Sequence, residues 1–130
     1  MKKIPFYTVV FFAAFSLMSC ATMSYMQEVS NADYGEYPDH YKVIVEDYMN
    51  SILGDLYKSA NYSNWKGPSQ TASGYWFDKK EFGYKVCVDI NAKNRMDGYA
   101  ETFYFFIKDG RVLQKINESS GSPNMCKYLR

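Results

Sequence analysis

The chain has one histidine, three cysteines and four prolines in 130 residues. His40 stands alone and no Cys-x-x-Cys spacing occurs, which argues against a zinc site. Neither sign of charge dominates, with 15 Lys and Arg against 14 Asp and Glu. That balance argues against nucleic-acid binding through bulk charge. Past residue 18 no apolar run is long enough to cross a bilayer. The chain also lacks a Gly-x-Ser-x-Gly elbow, a phosphate loop, a zinc-helix motif and a dinucleotide fingerprint. It has no internal repeat and no low-complexity segment.

What the chain does have begins at its N-terminus. Lys2 and Lys3 precede fifteen residues, Ile4 to Met18, without a charge. At 1.5 Å per residue such a helix spans about 22 Å, short of the roughly 30 Å hydrocarbon core. A basic start, a short apolar run and small residues at its exit describe a secretory signal peptide. The exit reads Leu17-Met18-Ser19-Cys20, which resembles the bacterial lipobox. The resemblance implies cleavage before Cys20, a diacylglycerol on its thiol and acylation of the new amine. Several acyl chains on one residue hold well, since each buried CH₂ adds about 0.8 kcal/mol. Ala21 stands where an aspartate would signal inner-membrane retention, so the resemblance implies the outer membrane.

Three segments are expected: a signal peptide at 1–19, a lipidated cysteine with a flexible tether at 20–37, and one domain at 38–130. Lys2 and Lys3 leave with the signal, so 13 basic residues face 14 acidic ones in the remainder. Of the chain's thirteen tyrosines the signal takes only Tyr7, and the rest suit a thin-cored, half-exposed sheet or a binding face. With Cys20 lipidated, Cys87 and Cys126 remain, and a small secreted domain with two spare cysteines favours a disulfide over a reactive thiol pair or a metal site. Its loop of roughly 40 residues is worth about 3–4 kcal/mol in the chain-entropy model.

Along the domain, Pro38 suits the first turn of a helix and Asp39 its dipole. Tyr41, Ile44, Val45, Tyr48, Ile52 and Leu53 recur at helical spacing, opposite Lys42, Glu46, Asp47 and Asn50. Gly54 closes the pattern. Asp55 to Ala72 is rich in Ser, Asn, Gly and Pro and reads as a long loop, with a short edge strand around Ala60 to Trp65. Gly74 to Phe77 is a short strand candidate. In "YKVCVDI", Tyr84, Val86, Val88 and Ile90 face one way, and Lys85, Cys87 and Asp89 the other. Cys87 thus points where a tail carrying Cys126 can cross the sheet. "AETFYFFI" is apolar on both faces, the mark of a central strand. "KDGR" predicts a tight hairpin at Asp109-Gly110, and "RVLQKI" the return strand. The expected fold is α+β, one N-terminal amphipathic helix packed on an antiparallel meander of about four strands.

Three stretches, "YPDHYKVIVEDYMNSIL", "GYKVCVDINAKNRMDGY" and "FYFFIKDGRVL", resemble a family of small proteobacterial lipoproteins. The matching positions include Tyr37, Pro38, Tyr41, Cys87, Asn91, Ala92, Lys93, Asn94, Gly98, Tyr99, Asp109 and Gly110, within roughly Tyr34 to Leu113. The family pattern often has Lys-Asp-Pro after the helix, where this chain has Gly54-Asp55-Leu56. The resemblance implies an envelope location and a lipid anchor, and it implies no biochemical activity.

Candidate chemistry is sparse. His40 adjoins Asp39, and a solvated histidine at a helix start accounts for it. Asp89 and Glu101 are the carboxylates to weigh as a hydrolytic pair, although strand alternation alone yields such acids. "NAKNRMDGY" is polar between two apolar strands. Lys93, Asn94, Arg95 and Tyr99 there suit an anion, a glycan or a partner loop. The same residues also suit a turn and a blunted sheet edge. Tyr75 and Trp76 offer rings for a sugar or a protein. The expectation is a non-catalytic envelope protein without a cofactor, which binds another envelope protein or a glycan. The alternative is an inhibitor of a host hydrolase such as lysozyme.

Overall fold

The computed structural model describes residues 27–54, 60–73, 80–92, 100–118 and 124–129. It comprises one unit ending at Ala32 and a second from Asp33 to Arg130. In the first, residues 27–30 form a helical turn, and the Ser30 hydroxyl donates to the Gln27 carbonyl at 3.0 Å. Cys20 and the apolar N-terminal run lie outside the described residues.

The second unit is α+β. Helix α1 (Tyr41–Leu53) precedes strands β1 (Asn61–Ala72), β2 (Phe82–Asn91), β3 (Glu101–Lys108) and β4 (Arg111–Asn117). The strands form one antiparallel sheet in chain order.

Helix α1 begins later than the proline suggests. The Tyr41 amide donates to the Pro38 carbonyl at 3.0 Å, and His40 holds the N-cap without a side-chain bond. Val45 and Met49, one turn apart, are fully buried, with Tyr41, Ile44 and Tyr48 packed beside them. Ile52, expected on that stripe, shares the face of Val45 and Met49 but sits in the last turn and is 46% exposed. Gly54, at φ 60°, ends the helix and donates its amide to the Asn50 carbonyl at 3.1 Å.

Strand β1 is longer than its composition suggests. The stretch expected to be mostly loop pairs with β2 from Asn61–Asn91 to Ala72–Phe82. Two register shifts, between Ser63 and Lys66 and between Lys66 and Ser69, each place an extra residue on β1. They absorb the turn-type residues: Asn64 takes φ 51°, Gly67 takes φ 90°, and Pro68 follows on the sheet's edge. A Cβ on Gly67 would meet the Lys85 carbonyl at 2.6 Å, so β2's backbone also requires glycine there. Ladder hydrogen bonds and the burial of Tyr62 and Trp65 thus outweigh local propensity.

Strands β2 and β3 pair without interruption from Tyr84–Ile107 to Ile90–Glu101. Phe103 to Ile107 are all buried, as expected for a strand covered on both faces. Asp109 (φ 49°) and Gly110 (φ 71°) form the β3–β4 turn, and two positive φ angles match a type I′ hairpin. Leu113 occupies a bulge between the Gln114–Phe106 and Val112–Ile107 pairs.

The sheet therefore has two covered faces. On one, Val86, Val88, Ile90, Phe103, Phe105 and Ile107 meet Val45 and Met49 of α1. On the other, Cys87, Tyr104 and Phe106 meet Cys126 and Leu129 of the C-terminal tail. Cys87 and Cys126 form a disulfide, 39 residues apart in sequence, with Cα atoms 5.9 Å apart. The Cys126 amide also donates to the Glu118 carboxylate at 2.8 Å.

The contacts of this unit begin before Pro38. Residues 33–37, expected as the end of a flexible tether, lie against the sheet. The Tyr34 ring packs edge-on to Phe82 at 5.5 Å, and Tyr37 packs edge-on to Tyr84 at 5.4 Å. The Lys108 ammonium donates to the Asp33 carbonyl at 3.2 Å, and the Glu36 amide to Asp109 Oδ1 at 3.3 Å. Aromatic area explains the difference, since Tyr34 and Tyr37 gain more by covering Tyr84 than by trailing in water.

Candidate functional site

The first bulge in β1 builds the most organised polar site among the described residues. Its left-handed backbone is one that asparagine tolerates better than most side chains. From there Asn64 Nδ2 donates to Asp89 Oδ2 at 2.8 Å. Directly across the β2–β3 ladder, the Thr102 hydroxyl donates to Asp89 Oδ1 at 2.7 Å. One half-buried carboxylate thus links three strands through charge-assisted bonds. A cleft of about 420 Å³ opens over this cluster, lined also by Lys66 and by the disulfide cysteines Cys87 and Cys126. Lys66 stands opposite Cys87, and Ser63 opposite Asp89. Lys66 and Asp89 therefore sit on neighbouring rungs of one face.

Trp65 follows Asn64 but turns to the helix-covered face. Its ring stacks on Tyr62 at 5.9 Å and meets Tyr41 edge-on at 5.7 Å. The Lys42 ammonium sits 5.8 Å from the same ring. This aromatic group anchors the edge strand to α1.

A second cleft, about 260 Å³, lies at the start of α1 between Glu36, Asp39, His40 and Gly110. Its lining also includes Tyr37 but, among the described residues, no serine, threonine or cysteine to stand as a nucleophile beside His40. Asp89 and Glu101 do not form a hydrolytic pair. Thr102 is the residue opposite Asp89, whereas Glu101 is opposite Ile90 and so projects toward the other face.

The expected partner-binding residues Tyr75, Trp76, Lys93, Asn94, Arg95 and Tyr99 lie outside the described residues. The strand ends that flank them do not coincide. Residues 74–79 connect Ala72 to Phe82, and residues 93–99 connect Asn91 to Glu101. These are opposite ends of β2, roughly 30 Å apart at 3.3 Å per residue. Asn64, Lys66 and Thr102 carried no signal in the sequence, because only the cross-strand register brings them to Asp89.

No family model, no curated protein and no solved structure matches this chain.

Proposed function

We propose that this protein is a lipid-anchored, non-catalytic binding protein of the bacterial cell envelope. It is held by acyl chains on Cys20 in the outer membrane. The observation that carries the reading is the N-terminus: two lysines, fifteen uncharged residues and Leu17-Met18-Ser19-Cys20. The Cys87–Cys126 disulfide supports it, since such bonds persist in oxidising compartments outside the cytosol. Aromatic burial, a bulged edge strand and a thin two-faced core suit a stable scaffold that presents loops. The segment 93–99, with Lys93, Asn94, Arg95 and Tyr99, is the contact for another envelope protein or a glycan. Tyr75 and Trp76 offer rings to stack on a sugar or on a protein partner.

The test is mass spectrometry of the protein isolated from cell membranes. The expected N-terminal peptide begins at Cys20 and carries diacylglycerol and acyl masses. Cys20→Ser should abolish the modification and release the protein from the membrane fraction. A chain cut elsewhere, or one that keeps residues 1–19 without lipid, overturns the reading. Photo-crosslinking from position 95 in intact cells then addresses the partner, and a discrete adduct lost on Lys93→Ala supports the 93–99 contact.

A further inference from the structure

The cleft over Asp89 holds two charges of opposite sign that no ion pair among the described residues neutralises. The Asp89 carboxylate is oriented by two uncharged donors, Asn64 and Thr102, and has no ion-pair partner among the described residues. Lys66 lines the same cleft, half-buried, and likewise has no ion-pair partner among them. Each carboxylate oxygen accepts one bond here, while an ionised carboxylate has about four lone-pair sites, so half its acceptor capacity faces the cleft. Partly desolvated charges favour a ligand that compensates them.

We propose that this cleft binds a small zwitterion, a free amino acid, with its ammonium on Asp89 and its carboxylate on Lys66. The two protein charges stand on adjacent rungs, roughly 7 Å apart at the backbone, and the lysine stem spans the remainder. A simple cation or anion compensates one charge and leaves the other. A neutral sugar compensates neither. The volume of about 420 Å³ falls in the lower part of the range for small-molecule sites. The disulfide forms a rigid wall beside Lys66, which limits the entropy lost on binding. The proposal is independent of the lipid anchor and of the 93–99 contact.

The test is calorimetric titration of the full chain, disulfide intact, with glycine as probe. Acetate, methylammonium and methyl glucoside serve as comparisons. Glycine is expected to bind at least tenfold more tightly than any of the three. Lys66→Met should weaken glycine about tenfold with little change in thermal stability, because methionine keeps the apolar stem and the Lys66 ammonium has no hydrogen bond or ion pair among the described residues. Asp89→Asn should also weaken glycine about tenfold, with some loss of stability because one of its two donors loses its acceptor, and retained circular dichroism confirms that the chain still folds. Absence of glycine binding, equal binding of acetate or the glucoside, or full binding by Lys66→Met each overturns the proposal. Lys66 and Asp89 satisfying one another in solution would appear as the first of these.

Discussion

The two faces of β3 are covered in different ways. On one side Phe103, Phe105 and Ile107 meet a regular helix through Val45 and Met49, residues one turn apart. On the other, Tyr104 and Phe106 meet a short tail through Cys126 and Leu129. The helix supplies its own backbone hydrogen bonds and needs only an apolar stripe to dock. The tail has no such regularity and is fixed by a covalent bond plus the Glu118–Cys126 contact. Polar satisfaction does not separate them. The Tyr104 hydroxyl and the Gln114 Oε1 are buried under the tail without a hydrogen-bond partner, and Asn50 Oδ1 on α1 is buried without one as well. One face is held by packing, and the other by a staple.

The largest expected effect tests the packed face. Phe105 is fully buried and meets the Tyr48 ring edge-on at 6.2 Å. Phe105→Ala should cost about 4 kcal/mol through lost burial and a residual cavity. Denaturant unfolding with an unchanged slope measures this. A loss below about 1 kcal/mol would mean that α1 contributes little and that the stapled face dominates.

Next comes the staple. Replacing Cys87 and Cys126 together by alanine should cost about 3–4 kcal/mol, set by a closed loop of roughly 40 residues. The predicted asymmetry is local. NMR resonances of Leu129 and Met125 should move toward unfolded positions, while those of Val45 and Met49 stay native in the folded fraction. Collapse of both sets together would show that the faces are not separable.

The two faces also differ in how legible they were. Alternation in "YKVCVDI" placed Val86, Val88 and Ile90 against Cys87 and Asp89, and the register agrees. The Asp109-Gly110 turn follows from local backbone chemistry alone, so it too was readable. Helical spacing marked α1 and its buried face but passed over Met49, which shares that face, while periodicity says nothing of how far the cover reaches and Ile52 in the last turn stays exposed. Strand β1 hid behind Ser, Asn, Gly and Pro, residues that signal loops unless a bulged edge absorbs them. The Asp89 cluster was unreadable for a related reason. Asn64 reaches Asp89 through a one-residue offset between β1 and β2 created by the bulge, which no local pattern encodes.

A third difference between the faces should appear with pH. Burial pushes the Tyr104 hydroxyl up to about 12, from an ordinary value near 10. The folded chain therefore keeps this proton at pH values where the unfolded chain releases it. The contribution to stability is whole below about pH 10 and is lost as pH rises from there to about 12. Two pH units of separation correspond to about 3 kcal/mol. The other tyrosines titrate as well, so the measurement is a difference. Stability should fall less steeply over that window in Tyr104→Phe than in the parent chain, and parallel profiles would show that Tyr104 titrates normally.

The smallest effect is the most specific to the stapled face. At neutral pH, Tyr104→Phe removes a buried hydroxyl that makes no hydrogen bond and leaves the ring in place. A hydroxyl in that position has given up water without a replacement partner, and deleting it removes that cost. The variant should unfold at the same denaturant concentration as the parent or higher, with a gain of up to about 1 kcal/mol. A loss of 1 kcal/mol or more would instead mean that the hydroxyl has a partner in solution, such as an ordered water under the tail. The layer under the tail would then be satisfied at Tyr104 by water, and what distinguishes the two faces would reduce to the disulfide alone.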